Sequence, residues 1–137
     1  MKVARTSPDE VPPVGPYSQV ARVELGDAAL LFVSGQVAVD EKGEIVGAGD
    51  ITAQATRVFE NLKAVLASQG ATLEDVLKLT TFLRDMGHRA ALGEVRKRYF
   101  LGDPPASTAV EVSRLARDEW LIEVEAIAAV PAARSAG

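Results

Sequence analysis

Pro104-Pro105-Ala106-Ser107-Thr108-Ala109-Val110-Glu111-Val112 is the stretch on which the reading of this chain turns. Proline lacks the N–H that a helix needs and clashes with the preceding turn, so the helical pattern upstream stops here. Beyond the prolines, Ser107 and Thr108 open a β-favouring run with Val110 and Val112 at alternate positions. A second apolar run, Trp120 to Ala129, follows a polar break and carries Glu123 and Glu125 on one strand face. A small, hydroxyl-bearing start to a buried strand that faces paired carboxylates is the first candidate for a ligand site.

Working upstream, Leu92, Val95 and Tyr99 share one face of a helix predicted from about His88 to Phe100, with Arg89, Arg96 and Lys97 largely on others. Val76 to Leu83 reads as a strand with a β-favouring centre at Thr80 to Phe82, entered by a helical turn capped by Thr72. Asp50 is placed to cap a longer helix, because its carboxylate accepts from free N–H groups of the first turn. Along that helix Ile51, Ala55, Val58, Phe59, Leu62, Val65 and Leu66 form one apolar face, and Gly70 ends it.

Asp40 to Gly49 is a loop. Ala29 to Val39 is apolar apart from Ser34, Gly35 and Gln36, and a glycine inside a buried strand predicts a bulge or a close backbone approach. From Tyr17 to Leu25 the pattern alternates as in a strand, turning at Gly26-Asp27. Residues 1 to 16 read as a short edge strand and an irregular proline-rich arm, and residues 131–137 as a fraying tail. The element order predicts an α+β sandwich with both helices on one sheet face. Leu30 to Val33, Val76 to Leu83 and Leu121 to Ala129 are too apolar for a solvated second face, so a homo-oligomer is expected.

A length of 137 residues predicts a single domain. The net charge of -4 gives no electrostatic reason for nucleic acid as the main partner. With no cysteine, disulfides, thiol nucleophiles and cysteine metal clusters are excluded. Neither a signal-peptide core nor an apolar run of membrane-spanning length is found, and a cytoplasmic location is expected.

Ordered fragments then resemble the RidA family, also called YjgF/YER057c/UK114. They are Gly15-Pro16-Tyr17-Ser18-Gln19, Phe32-Val33-Ser34-Gly35-Gln36, Gln54 with Asn61-Leu62, Lys78 to Asp85, Pro105-Ala106, Val110-Glu111-Val112 and Ile122 to Ala128. The resemblance implies a chorismate-mutase-like α+β fold, a mixed six-stranded sheet with two helices on one face. It also implies a homotrimer with ligand clefts at the subunit interfaces, and hydrolysis of small enamines or imines to carbonyl compounds and ammonia without metal or cofactor. Tyr17, Ser34 and Gly35 match cleft-lining positions, and Glu123 matches the glutamate that serves the attacking water. Ser107 stands where the family motif has its carboxylate-binding arginine, with Thr108 and Ala109 beside it. Gly93-Glu94-Val95-Arg96 stands where the motif reads Asn-Glu-Val-Tyr.

A serine cannot give the two parallel charge-assisted bonds of a guanidinium, a loss of about 1.5 to 3 kcal/mol in binding, so the substrate is expected to differ from the plain 2-imino acids. Other readings stay open from the residues alone. Glu123 also reads as a solvent-facing or lysine-paired carboxylate, with Glu125 as the alternative acid–base group. Ser107 and Thr108 also read as plain strand starters, Tyr17 as an interface residue, and His88 as a helix-start surface residue. The alternatives for the whole protein are a metabolite-sensing trimer without chemistry, and an endoribonuclease. Only Arg96-Lys97-Arg98 speaks for the latter, and that triplet reads as a solvated helix face with Glu94 paired to Arg98.

Overall fold

Strand pairing in the computed structural model, which describes residues 1–134, sets the architecture. In chain order the elements are β1 (Lys2–Thr6), β2 (Val20–Leu25), β3 (Ala28–Gln36), α1 (Ile51–Ala67), β4 (Val76–Leu83), α2 (Arg89–Tyr99), β5 (Ala106–Glu111) and β6 (Ile122–Pro131). They form one six-stranded sheet in the order β1-β2-β3-β6-β4-β5. Every pairing is antiparallel except β4 with β5, which are parallel and joined through α2. The predicted α+β class, with a mixed six-stranded sheet and two helices, is the observed one.

Local chemistry explains the elements. Asp50 accepts from the backbone N–H of Ala53 at 3.1 Å and starts α1. Its apolar stripe, Val58, Phe59, Leu62, Val65 and Leu66, is buried against Ala29, Leu31 and Val33 of β3 and Val124, Ala126 and Ala128 of β6. Phe59 meets the rings of Tyr99 and Phe100 at 5.3 and 5.8 Å, which fastens the end of α2 to α1. Gly26, at φ 66°, makes the two-residue turn between β2 and β3.

Three expectations change. β3 ends at Gln36 and not at Val39, because Ser34 and Gly35 together occupy the space between the Val33–Ala126 and Gln36–Val124 pairs, the bulge that Gly35 predicted. Beyond it Val37 and Val39 leave the sheet and pack on Trp120, while Asn61 Nδ2 donates to their carbonyls at 3.1 and 3.0 Å. The strand at 106–111 is not buried. It is the exposed edge of the sheet, separated by β4 from the carboxylates of β6, because the β4–α2–β5 crossover returns the chain outside β4. The C-terminal stretch does not fray as far as Arg134. Arg22 donates to the carbonyls of Ala132 and Arg134, and Arg134 pairs with Asp75 at 3.1 Å. The rest of that predicted tail, 135–137, lies outside the described residues.

The sheet face away from the helices carries Phe32 and Val110, both exposed, with half-buried Leu30, Phe82 and Ile127. That face has the apolar character read from the sequence. Among the described residues, no helix is long and apolar enough to cross a membrane.

Candidate functional site

The β3 bulge, the 14–19 arm and the start of β6 enclose a cavity of about 440 Å³. The backbone of Ser34 donates to the Gln19 carbonyl at 2.9 Å, and its hydroxyl donates to the Ser18 carbonyl at 2.7 Å. Gln36 Nε2 donates to Gln19 Oε1 at 2.8 Å and to the Ser34 carbonyl at 3.0 Å. These bonds close the backbone groups that the bulge releases from the ladder, and they fix the arm that carries Tyr17.

Glu123 enters the cavity from β6. Its neighbour Gly35 has no side chain, and a Cβ built there would lie 2.7 Å from Glu123 Cδ, so the carboxylate occupies space that only glycine leaves free. A Cβ on Gly15 would likewise meet the Tyr17 ring at 2.9 Å. Burial pushes the Glu123 carboxyl above the usual carboxylate range, and the like charge of Glu125 on the same strand pushes it further. Tyr17 is also raised, chiefly by burial, against the lowering effect of a backbone hydrogen bond with Val14 and with a smaller raising effect from the charge of Glu123.

Of the sequence-predicted site residues, this cavity brings together Tyr17, Ser34, Gly35 and Glu123. Ser107, Thr108 and Ala109 lie elsewhere in the chain. Ser107 and Ala109 are in register with Leu79 and Thr81, both buried beneath the helices, so they face the helix side. Glu123 is in register with Phe82 and faces the opposite side. Ser107 Oγ accepts from Arg96 Nη1 at 2.9 Å, and Thr108 Oγ1 accepts from Lys78 Nζ. The predicted site residues thus fall into two separate groups, with β4 between them.

Sequence reading missed Trp120, which lines the cavity with Val14, Val37 and Ala116. Its indole Nε1–H is buried without a partner. The only signal was its being the single tryptophan of the chain, at the boundary between a charged turn and a buried strand. The reading of the basic triplet needs correction. Glu94 pairs with Lys97 at 3.1 Å and not with Arg98, while Arg96 turns toward β5 and lies over the Phe100 ring at 5.7 Å. No group of histidine, aspartate and glutamate side chains able to hold a metal ion occurs among the described residues.

Comparison with known proteins places this geometry. Residues 7–130 match the family model described as endoribonuclease L-PSP. A RutC family protein of Pyrococcus abyssi is 50% identical over 117 residues, covering 85% of this chain and 87% of the relative. The 2-iminobutanoate/2-iminopropanoate deaminase of Dermatophagoides farinae is 32% identical, covering 86% and 88%. The crystal structure of Escherichia coli TdcF with bound serine is 34% identical, with a TM-score of 0.79 over 91% of this chain and 97% of that one. Fold, ordered motifs and relatives agree, and the chain belongs to the RidA (YjgF) family.

Proposed function

We propose that the protein hydrolyses a small enamine or imine to a carbonyl compound and ammonia. The observation that carries this is the half-buried Glu123 carboxyl, raised toward neutrality and lodged against Gly35 in a cavity with Tyr17. An acid–base group tuned in this way suits C=N hydrolysis, which needs a proton removed from water and one delivered to nitrogen. Glu123 takes a proton from water as the water oxygen bonds to the imine carbon and the C=N π pair moves to nitrogen. Glu123 passes that proton to nitrogen to give the carbinolamine, a second proton moves from the carbinolamine hydroxyl through Glu123 to the same nitrogen, and the C–N bond breaks with its electron pair on nitrogen, so that ammonia leaves as the C=O bond forms. Water is the only co-reactant. The relative from Dermatophagoides farinae, named as a deaminase of 2-imino acids, supports the same reaction class.

The second element of the reading is association. Glu123 and Ser107 face opposite sides of the sheet, so a ligand that touches both must lie between two copies of the chain. A homotrimer that covers Phe32, Val110 and their neighbours satisfies this and removes apolar surface from water. Tyr17, Ser34 and Gly35 shape one wall of each cleft, and Ser107, Thr108 and Ala109 the other.

Ribonuclease chemistry has less support despite the family model's description. The net charge is -4, and within the basic triplet Lys97 pairs with Glu94 while Arg96 bonds Ser107, so the run does not act as one free basic face. A sensing trimer that binds without chemistry shares the same cleft and is separated from the deaminase by one assay. Ammonia release from freshly generated imines is measured for the parent protein and Glu123→Gln. Loss of turnover in the variant supports the hydrolase. A parent that binds a carbonyl product but releases no ammonia establishes the sensor instead.

A further inference from the structure

We propose that Gln54, a buried side chain of α1 that does not line the cavity, is a positioning residue for Glu123: it holds the segment through which the chain enters β6. The inference deepens the hydrolase reading above and rests on it for the role of Glu123.

Gln54 uses both ends of its amide. Nε2 donates to the Glu119 carbonyl at 2.8 Å and to the Gly47 carbonyl at 3.2 Å, and Oε1 accepts from the Leu121 N–H at 2.8 Å. One side chain thus grips the backbone on both sides of Trp120, which lines the cavity. Neither the Glu119 carbonyl nor the Leu121 N–H has another hydrogen-bond partner among the described residues. The Leu121 carbonyl accepts from the Arg84 N–H, just past β4, at 3.1 Å. Leu121 is therefore tied to the helix layer through its N–H and to the sheet through its carbonyl, two residues before Glu123.

Such a tie matters because Glu123 has little room. Its carboxylate sits against the β3 bulge, where a Cβ on Gly35 would lie 2.7 Å from Cδ. Between β5 and β6 the chain forms no strand, so the start of β6 is held by the Gln54 amide and by the packing of Trp120 on Val37 and Val39. Asn61, the other buried amide of α1, is less critical. The Val37 and Val39 carbonyls that it reaches also accept from the Val39 N–H and from Arg57 Nε, both at 2.9 Å. Without Asn61 those carbonyls keep a partner, whereas without Gln54 its two groups at 119 and 121 have none. A buried polar group left unpaired is costly, and a segment outside any strand relieves that cost by moving toward water.

Gln54→Met keeps the length of the side chain and removes its bonds. The variant is compared with the parent and with Val65→Ala, a truncation in the core face of the same helix that lowers the melting temperature without touching the 119–121 segment. With the imine that the parent turns over fastest, kcat of Gln54→Met should fall roughly ten- to a hundredfold while KM stays within about threefold. The Glu123 carboxyl, followed by its carbon-13 resonance, should titrate at lower pH in Gln54→Met, because water reaches it, and should not move in Val65→Ala. In the parent, the Leu121 amide should exchange its hydrogen as slowly as the amides of α1. Equal changes in Gln54→Met and Val65→Ala overturn the proposal, since they assign Gln54 to stability alone. So does a Leu121 amide that exchanges as fast as those of the 113–118 turn, a result that stands even where Gln54→Met does not fold. A parent that releases no ammonia refutes the hydrolase, and the carboxyl titration and amide exchange still decide this inference. Ammonia release and a Glu123 titration that both ignore Gln54→Met refute only this inference.

Discussion

The cavity around Glu123 and the edge around Ser107 sit on either side of β4, and they are built in opposite ways. At the first, a bulge releases backbone groups that Ser34, Gln36 and Gln19 recapture at 2.7 to 3.0 Å, so that arm and strand are fixed within one chain. At the second, every residue of β5 is exposed, and the hydroxyls of Ser107 and Thr108 are met only by long basic side chains, Arg96 and Lys78. The contrast teaches a division of labour. The half proposed for acid–base chemistry is preorganised by the fold, whereas the half proposed to hold the ligand is an open sheet edge.

The largest effect expected from breaking the preorganised half is that of Glu123→Gln. If this carboxylate handles the water, turnover should fall by roughly 10²- to 10⁴-fold in the ammonia assay. The melting temperature at neutral pH should not fall, because the fold holds the charged form at a disadvantage. A large drop in melting temperature would instead make Glu123 a structural residue.

Gly35→Ala tests the same half by displacement and not by deletion. The new Cβ would overlap Glu123 Cδ, and the mobile carboxylate rather than the backbone is what gives way. Turnover should drop by about a hundredfold, the cost of misplacing a reacting group by an ångström or so, with the circular dichroism spectrum preserved. Activity within twofold of the parent would show that Glu123 reaches its working position by another route.

How much of this was legible in the sequence follows the same boundary. Local chemistry could be read directly: Asp50 as a cap, the 3.6-residue stripe of α1, and Gly35 as a bulge, since each depends on residues near in sequence. Sheet order could not. Composition does not say that the chain passes outside β4 after α2, so Ser107 was placed beside the β6 carboxylates when β4 in fact separates them. Arg96 was illegible for a related reason. In an Arg-Lys-Arg run each residue has the same claim to solvent until the position of β5 and Phe100 singles one out. Trp120 gave only a boundary signal, because the cavity it lines is assembled from segments about a hundred residues apart.

A milder break is Ser34→Ala, which leaves the Ser18 carbonyl without its donor. The expected cost is about 1 kcal/mol, a few degrees in melting temperature, with a larger loss of turnover because the arm carrying Tyr17 loosens. Equal small effects on stability and turnover would mean that the arm does not position the site.

The smallest effect sharpens the comparison most, because it reads the electrostatics of the preorganised half without touching its geometry. Glu125 is exposed on the same strand face as Glu123, and its charge raises the Glu123 carboxyl beyond what burial does alone. Glu125→Gln removes that repulsion, so Glu123 should lose its proton at a lower pH. A base must be deprotonated to accept a proton from water, and the rising acidic limb of the turnover profile should therefore move to lower pH, with the plateau unchanged. The linked stability runs with the same sign. A carboxyl whose folded pKa is raised holds its proton in the fold after the unfolded chain has released it. That contribution is complete below the ordinary carboxylate range and is lost as pH rises through the raised value. Glu125→Gln should shrink this loss, and salt should shrink it in the parent, since an exposed charge is screened. A limb that stays in place would leave burial alone to set the Glu123 proton, and a limb that moves to higher pH would mean that Glu125 acts by something other than its charge.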